Sequence, residues 1–220
     1  MKHDQSNPMQ QRNGWRYRMN IKRKTLSVIS VGLGLSLVGV VSGCPRIIGV
    51  PVSGMRLSVT KFPDECSRNS IFFLSEDDKL APGTADDPTM DDPTMFGASL
   101  ALHSPMTDSF DSYTLPAEGW KALPAPAEGY SYVDVHHTHG PCEYVALTAG
   151  RLVATCRGAD VKFSLEDPHQ EKVNVTFSIG LTRLYCASFG GDVMRDRSSW
   201  PHAIGSFLAI HAPAPPDCVS

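Results

Sequence analysis

Apolar and polar residues alternate with a period of two along much of the C-terminal part of this chain, the spacing that puts alternate side chains on opposite faces of a β-strand. The longest such run is Val173, Val175, Phe177, Ile179 and Leu181, unbroken over nine residues. Met55-Arg56-Leu57-Ser58-Val59 repeats the pattern and predicts the first strand of a folded domain. Shorter strands are predicted at Ile71–Leu74, Tyr132–His137, Glu143–Leu147, Leu152–Cys156, Val161–Leu165 and Gly205–His211, punctuated by Gly and Pro. No stretch of ten or more residues after Cys44 carries a strong 3.6-residue apolar period. The expected fold is mostly β, an antiparallel sandwich or a small barrel-like domain.

The N-terminal pattern is different. Lys22, Arg23 and Lys24 precede Thr25–Gly43, 19 residues without a charge and rich in Leu, Val and Gly. A basic segment followed by an apolar one is the architecture of a signal peptide. It closes on Val41-Ser42-Gly43-Cys44, which resembles the lipobox of bacterial lipoproteins, with Val41 where the family usually has Leu. The resemblance implies cleavage before Cys44, a palmitate-type diacylglycerol on its sulfur, and a lipid anchor in a bacterial membrane. Pro45 in place of Asp favours the outer membrane. The same uncharged run is also long enough for a transmembrane anchor, and a plain secretion signal has a similar outline. Met19 offers an alternative start after a basic stretch without periodicity.

The expected organisation is therefore a signal peptide over 1–43, a short lipid-anchored tether over 44–54, and a single β-rich domain over 55–220. Pro45 and Pro51 discourage regular structure in the tether. Within the domain, residues 75–95 form an acidic segment with a tandem repeat, Asp86–Met90 and Asp91–Met95, both DDPTM. Two copies cannot stack into a solenoid, so a mobile surface loop is expected. Trp120 and Trp200 are expected in the core.

Removing residues 1–43 changes the electrostatics. Seven of the 20 Lys and Arg, but one of the 23 Asp and Glu, precede Cys44, so the remaining 177 residues carry 13 basic against 22 acidic groups and a formal charge of −9. That balance disfavours nucleic acid and steers cationic partners.

Five cysteines remain once Cys44 is lipidated, and two bridges with one odd thiol can be drawn in 15 ways. Strand geometry selects one pair. With Thr148-Ala149-Gly150 as a three-residue loop and Gly150 left-handed, Leu147 faces Arg151 and every cross-strand pair sums to 298. Cys142 and Cys156 then face each other, at roughly 4.5 Å on a non-hydrogen-bonded rung. A two-residue loop breaks this register.

The chemistry-bearing residues cluster in Val135-His136-His137-Thr138-His139-Gly140-Pro141-Cys142-Glu143. On a strand, His137 and His139 project from one face, as two imidazoles must to share a metal. The spacing from His137 through His139 and Glu143 to Gly150 resembles the first motif of the cupin superfamily, β-barrels that bind a metal inside. The resemblance implies a divalent transition metal on His137, His139 and Glu143, with His169 as fourth ligand from a second motif. Seven residues between Gly150 and Gly158 are fewer than the two strands a cupin needs there. Against this stands the reading of the histidines as exposed strand and turn residues, with no cofactor. His103 and Met106, near Met90 and Met95, have the residue types of a copper site, although methionines near one histidine are usually incidental. There is no G-x-S-x-G, H-E-x-x-H, P-loop or C-x-x-C motif.

Three functions fit these features. The first is a non-catalytic envelope lipoprotein that binds another envelope protein or a cell-wall component. The second is a cupin-like metal-binding domain with possible enzymatic activity. The third is an immunity-type inhibitor whose acidic domain blocks a cationic cell-wall hydrolase.

Overall fold

The computed structural model describes residues 47–82, 91–166, 169–200 and 202–218. The signal segment, Cys44 and the first DDPTM copy lie outside these residues. In chain order the strands are β1 (Ile48–Pro51), β2 (Gly54–Lys61), β3 (Ser70–Glu76), β4 (Ala98–Ser104), β5 (Ser109–Leu115), β6 (Trp120–Ala122), β7 (Gly129–Val133), β8 (Cys142–Thr148), β9 (Arg151–Arg157), β10 (Val173–Ile179), β11 (Arg183–Phe189), β12 (Asp192–Arg197) and β13 (Gly205–Ala212). Among the described residues no helix is long and apolar enough to cross a membrane.

The strands form two open sheets, β1-β11-β10-β4-β5 and β12-β13-β2-β3-β9-β8-β7-β6. All pairings are antiparallel except β1 with β11, which runs parallel from Ile48 opposite Arg183 to Pro51 opposite Cys186. Neither sheet closes on itself, so of the two expected architectures the sandwich is the one formed. The alternation explains the layering. Val173, Val175, Phe177 and Ile179 of β10 are buried while Asn174, Thr176 and Ser178 face outward. On the facing sheet, Leu57, Val59, Ile71, Phe73, Phe207 and Ala209 complete the same core.

Aromatic rings join the two layers. Phe73 of β3 meets Phe189 of β11 edge-on at 6.0 Å between centroids, and Trp120 of β6 lies 6.4 Å from Phe177 of β10. Each such buried ring contributes about 2–3 kcal/mol by area alone. Gly54 is required by this contact, because a Cβ there would sit 2.3 Å from the Phe189 ring.

Several expectations are corrected. Residues 48–51, expected in the tether, form β1, because hydrogen bonding to β11 satisfies their backbone and Pro51 sits at a sheet edge. The β10 run ends at Ile179. Leu181 lies in the turn to β11 and is exposed. Val161, Phe163 and Leu165 are buried with the expected period, but no strand pairs with them. Side chains bond that backbone instead: Asp111 accepts from the Lys162 amide (2.7 Å), the Ser164 amide donates to the Ser109 hydroxyl (3.0 Å), and Lys61 donates to the Val161 carbonyl (2.7 Å).

The second DDPTM copy is not a mobile loop. Asp91 is buried, accepting from Arg183 Nε at 2.9 Å and from the Thr182 hydroxyl at 2.5 Å. Asp92 caps the helical turn Pro93–Phe96 by accepting from the Thr94 amide at 2.8 Å. Upstream, Asp77 accepts from the amides of Ser53 (2.8 Å) and Lys79 (3.0 Å). Burial pushes its carboxyl up, but these amides outweigh it and hold the carboxyl below its ordinary value. Trp120 is buried and donates to the Leu115 carbonyl (3.1 Å), whereas Trp200 is 71% exposed.

Candidate functional site

The histidine cluster does not lie on a strand. β7 ends at Val133, and Val135–Pro141 is a turn in which His137 takes a left-handed φ of 53°. Asp134 organises it: its carbonyl accepts from the His137 amide (3.2 Å), and its carboxylate accepts from the Thr138 (3.0 Å) and His139 (2.7 Å) amides. Burial raises this carboxyl, but the two amides and the nearby His139 prevail and keep it below its ordinary value. Because the backbone turns, His137 and His139 lose the common face that a strand would give them. His137 Nε2 lies 3.4 Å from Glu143, while His139 Nε2 lies 3.6 Å from Glu118. His169 lies 4.0 Å from Asp196 on β12, five strand positions away from Glu143 on β8. Among the described residues no three His, Cys, Asp or Glu side chains are placed to hold a metal ion. The four ligands expected from the cupin resemblance are thus not brought together.

Cys142 and Cys156 are bridged, but by a different register from the expected one. Thr148 pairs with Arg151 across the two-residue loop Ala149-Gly150, so the ladder is offset by one. A bulge at Glu143 then inserts one extra residue in β8 and restores Cys142 opposite Cys156. Gly150 is left-handed, φ 77°, as the turn demands. A second bridge, Cys186–Cys218, ties the C-terminal tail to β11. Among the described residues Cys66 is the free thiol and is exposed.

That second bridge builds one wall of a concavity. The outer face of the five-stranded sheet presents small side chains at its centre, with Ala101 of β4 opposite Thr176 of β10. The tail stands over β1, where Gly49 leaves room for it: a Cβ on Gly49 would meet the Cys218 Cβ at 3.0 Å. Between this wall and Phe110 of β5 opens a cavity of about 690 Å³, within the range of small-molecule sites. A smaller hollow of about 130 Å³ shares Asn174 and Thr176 and lies against Pro215 and Pro216 of the tail.

The cavity runs diagonally. At one corner are Ile47, Gly49 and Leu184; at the other, His103, Phe110 and Asn174, which are cross-strand neighbours. Polar groups gather at this second corner. His103 Nε2 lies 3.7 Å from Asp108, and Asn174 Oδ1 accepts from the Ser188 hydroxyl at 2.8 Å, leaving the Asn174 amide hydrogens to donate elsewhere. Among the described residues no Lys or Arg lines the cavity. A carbon-rich floor with a few polar groups at one end suits the binding of an amphipathic ligand.

A third concavity, about 300 Å³, lies between Lys61, Cys66, Glu166 and the exposed Trp200. Burial pulls the Lys61 ammonium below its ordinary value, against the opposing influence of Cys66, Asp111 and Glu166. Its ammonium is committed to the Val161 carbonyl.

The sequence gives no sign that Ala101, His103 and Phe110 share a face, because the alternation of β4 and β5 is too short to predict strands there. It is confined to Leu100-Ala101-Leu102-His103 and Tyr113-Thr114-Leu115, which alternate over only three or four residues. No protein-family model, curated protein or solved structure matches this chain.

Proposed function

We propose that the mature chain is a non-catalytic cell-envelope lipoprotein, anchored through Cys44 to a bacterial membrane, preferentially the outer one, and built to bind an apolar or amphipathic partner. The observation that carries the reading is the cavity on the five-stranded sheet, whose wall includes Ile47, three residues after Cys44. The polar groups around it, His103, Asp108, Asn174 and Thr176, suit orientation of a ligand. The metal-binding alternative has weaker support, since His137 and Glu143 are its only paired ligands.

The test is growth of cells expressing the full chain with an alkyne-tagged palmitate. Label is expected on the protein in the membrane fraction and is lost in Cys44→Ala. An unlabelled protein in the soluble fraction would refute the anchor.

A further inference from the structure

We infer that the cavity on the outer face of the five-stranded sheet takes an acyl chain of a glycerophospholipid from the bilayer in which the protein is anchored. The inference rests on lipidation of Cys44, and it identifies the occupant of the site described above.

The length of the tether carries the argument. Only Pro45 and Arg46 separate Cys44 from Ile47, and three residue steps span at most about 11 Å. β1 starts at Ile48, where its amide donates to the Thr182 carbonyl at 2.6 Å, so nothing after Ile47 can pay out as linker. A lipid on Cys44 therefore holds the Ile47 corner of the cavity at the membrane surface, whatever the rest of the domain contacts.

The polarity gradient runs the right way. The corner nearest the anchor is apolar, with Leu184, Gly49 and the exposed Ile47. The corner with His103, Asp108 and Asn174 lies four residues further along the strands and three strands across, roughly 19 Å on the diagonal at standard strand spacings. One leaflet of hydrocarbon is about 15 Å thick, so the cavity matches an acyl chain in length. A phospholipid partly withdrawn from the bilayer keeps its chain at the anchored corner and lifts its headgroup toward the polar one. Asp108, with no Lys or Arg in the lining among the described residues, favours an amine-bearing zwitterionic headgroup over an anionic one.

The test uses the full chain, processed in bacterial cells, with photoreactive benzoylphenylalanine at Leu184 or, in a second variant, at the exposed Phe110. The control position is Tyr144, exposed on the eight-stranded sheet. After irradiation, mass spectrometry reads both the adduct and the N-terminal peptide. The expected result is an acylated Cys44 with phospholipid adducts at Leu184 and Phe110 and none above background at Tyr144. Thr176→Trp, which adds the volume of about four methylene groups to the floor, is expected to lower the yield at Phe110 by at least about tenfold. A retained Cys186–Cys218 bridge and unchanged near-UV circular dichroism report that the variants fold. An acylated Cys44 without phospholipid adducts overturns the inference and leaves the anchor standing. An adduct to the protein's own acylated N-terminal peptide overturns it in favour of self-occupancy. An unacylated Cys44 removes the anchor and the inference with it.

Discussion

Replacing Asp91 by alanine leaves Arg183, at the start of β11, as a largely buried cation without its partner. The carboxylate receives Arg183 Nε at 2.9 Å, and the two side chains are 3% and 11% exposed. A second pair, Glu65 with Arg68, is as short at 2.8 Å, but its side chains are 58% and 59% exposed. Distance alone would rank them equal; burial separates them. Water screens the exposed pair, so Glu65→Ala should cost about 0.2–1 kcal/mol. Removing one member of a buried pair typically costs about 3–5 kcal/mol, because the other is left desolvated. The residual exposure of Arg183 places Asp91→Ala near the lower end, about 3 kcal/mol, with loss of the Thr182 hydrogen bond included. For a chain of this size that is a fall of roughly 6–12 °C in Tm. The assay is guanidinium unfolding of the oxidised protein followed by far-UV circular dichroism, with the m-value as a check that both states keep their compactness. A loss below about 1 kcal/mol, or one equal to that of Glu65→Ala, refutes the assignment of Asp91 as a buried lock. The double substitution Asp91→Leu/Arg183→Met should recover most of the loss, since the cost lies in the unpaired charge and not in the absence of an ion pair.

Other consequences follow from the same packing. Gly54→Ala places a methyl against the Phe189 ring and should destabilise by about 1–3 kcal/mol, read by the same unfolding curves; a neutral result would show that the ring moves freely. Asp134→Asn should destabilise the histidine turn at neutral pH. The folded carboxyl titrates below its ordinary value of 3.8, so its contribution is full above that pH and is lost as pH falls through the folded value; the gap between variant and wild type should close in acid. Cys218→Ala opens a bridge across a 32-residue separation, worth at most about 4 kcal/mol by loop-closure entropy, and releases the tail wall of the cavity. Hydrogen exchange in β1 and β11 should then quicken, and unchanged exchange would mean that the tail holds its place without the bridge.

The sequence by itself determined the mostly β class and, in the strands it revealed, which side chains face inward, because a two-residue period acts locally and needs no knowledge of partners. β2, β3, β8, β9, β10 and β13 were legible on that ground, as was the union of Cys142 with Cys156. The pairing was reached through the wrong loop length, since a bulge at Glu143 compensates for the shorter turn and leaves no mark in the periodicity. Tertiary structure alone decided the rest. β1 looked like a proline-punctuated tether until β11 offered it hydrogen bonds, and Asp91 looked like a solvated repeat residue until Arg183, 92 positions away, neutralised it. The histidines shared a face only so long as their segment was taken as a strand, and the capping carboxylate of Asp134 turned it. Local pattern fixes which way a side chain points relative to its own backbone; which distant residue meets it there depends on closing long loops, and that information resides in the whole fold.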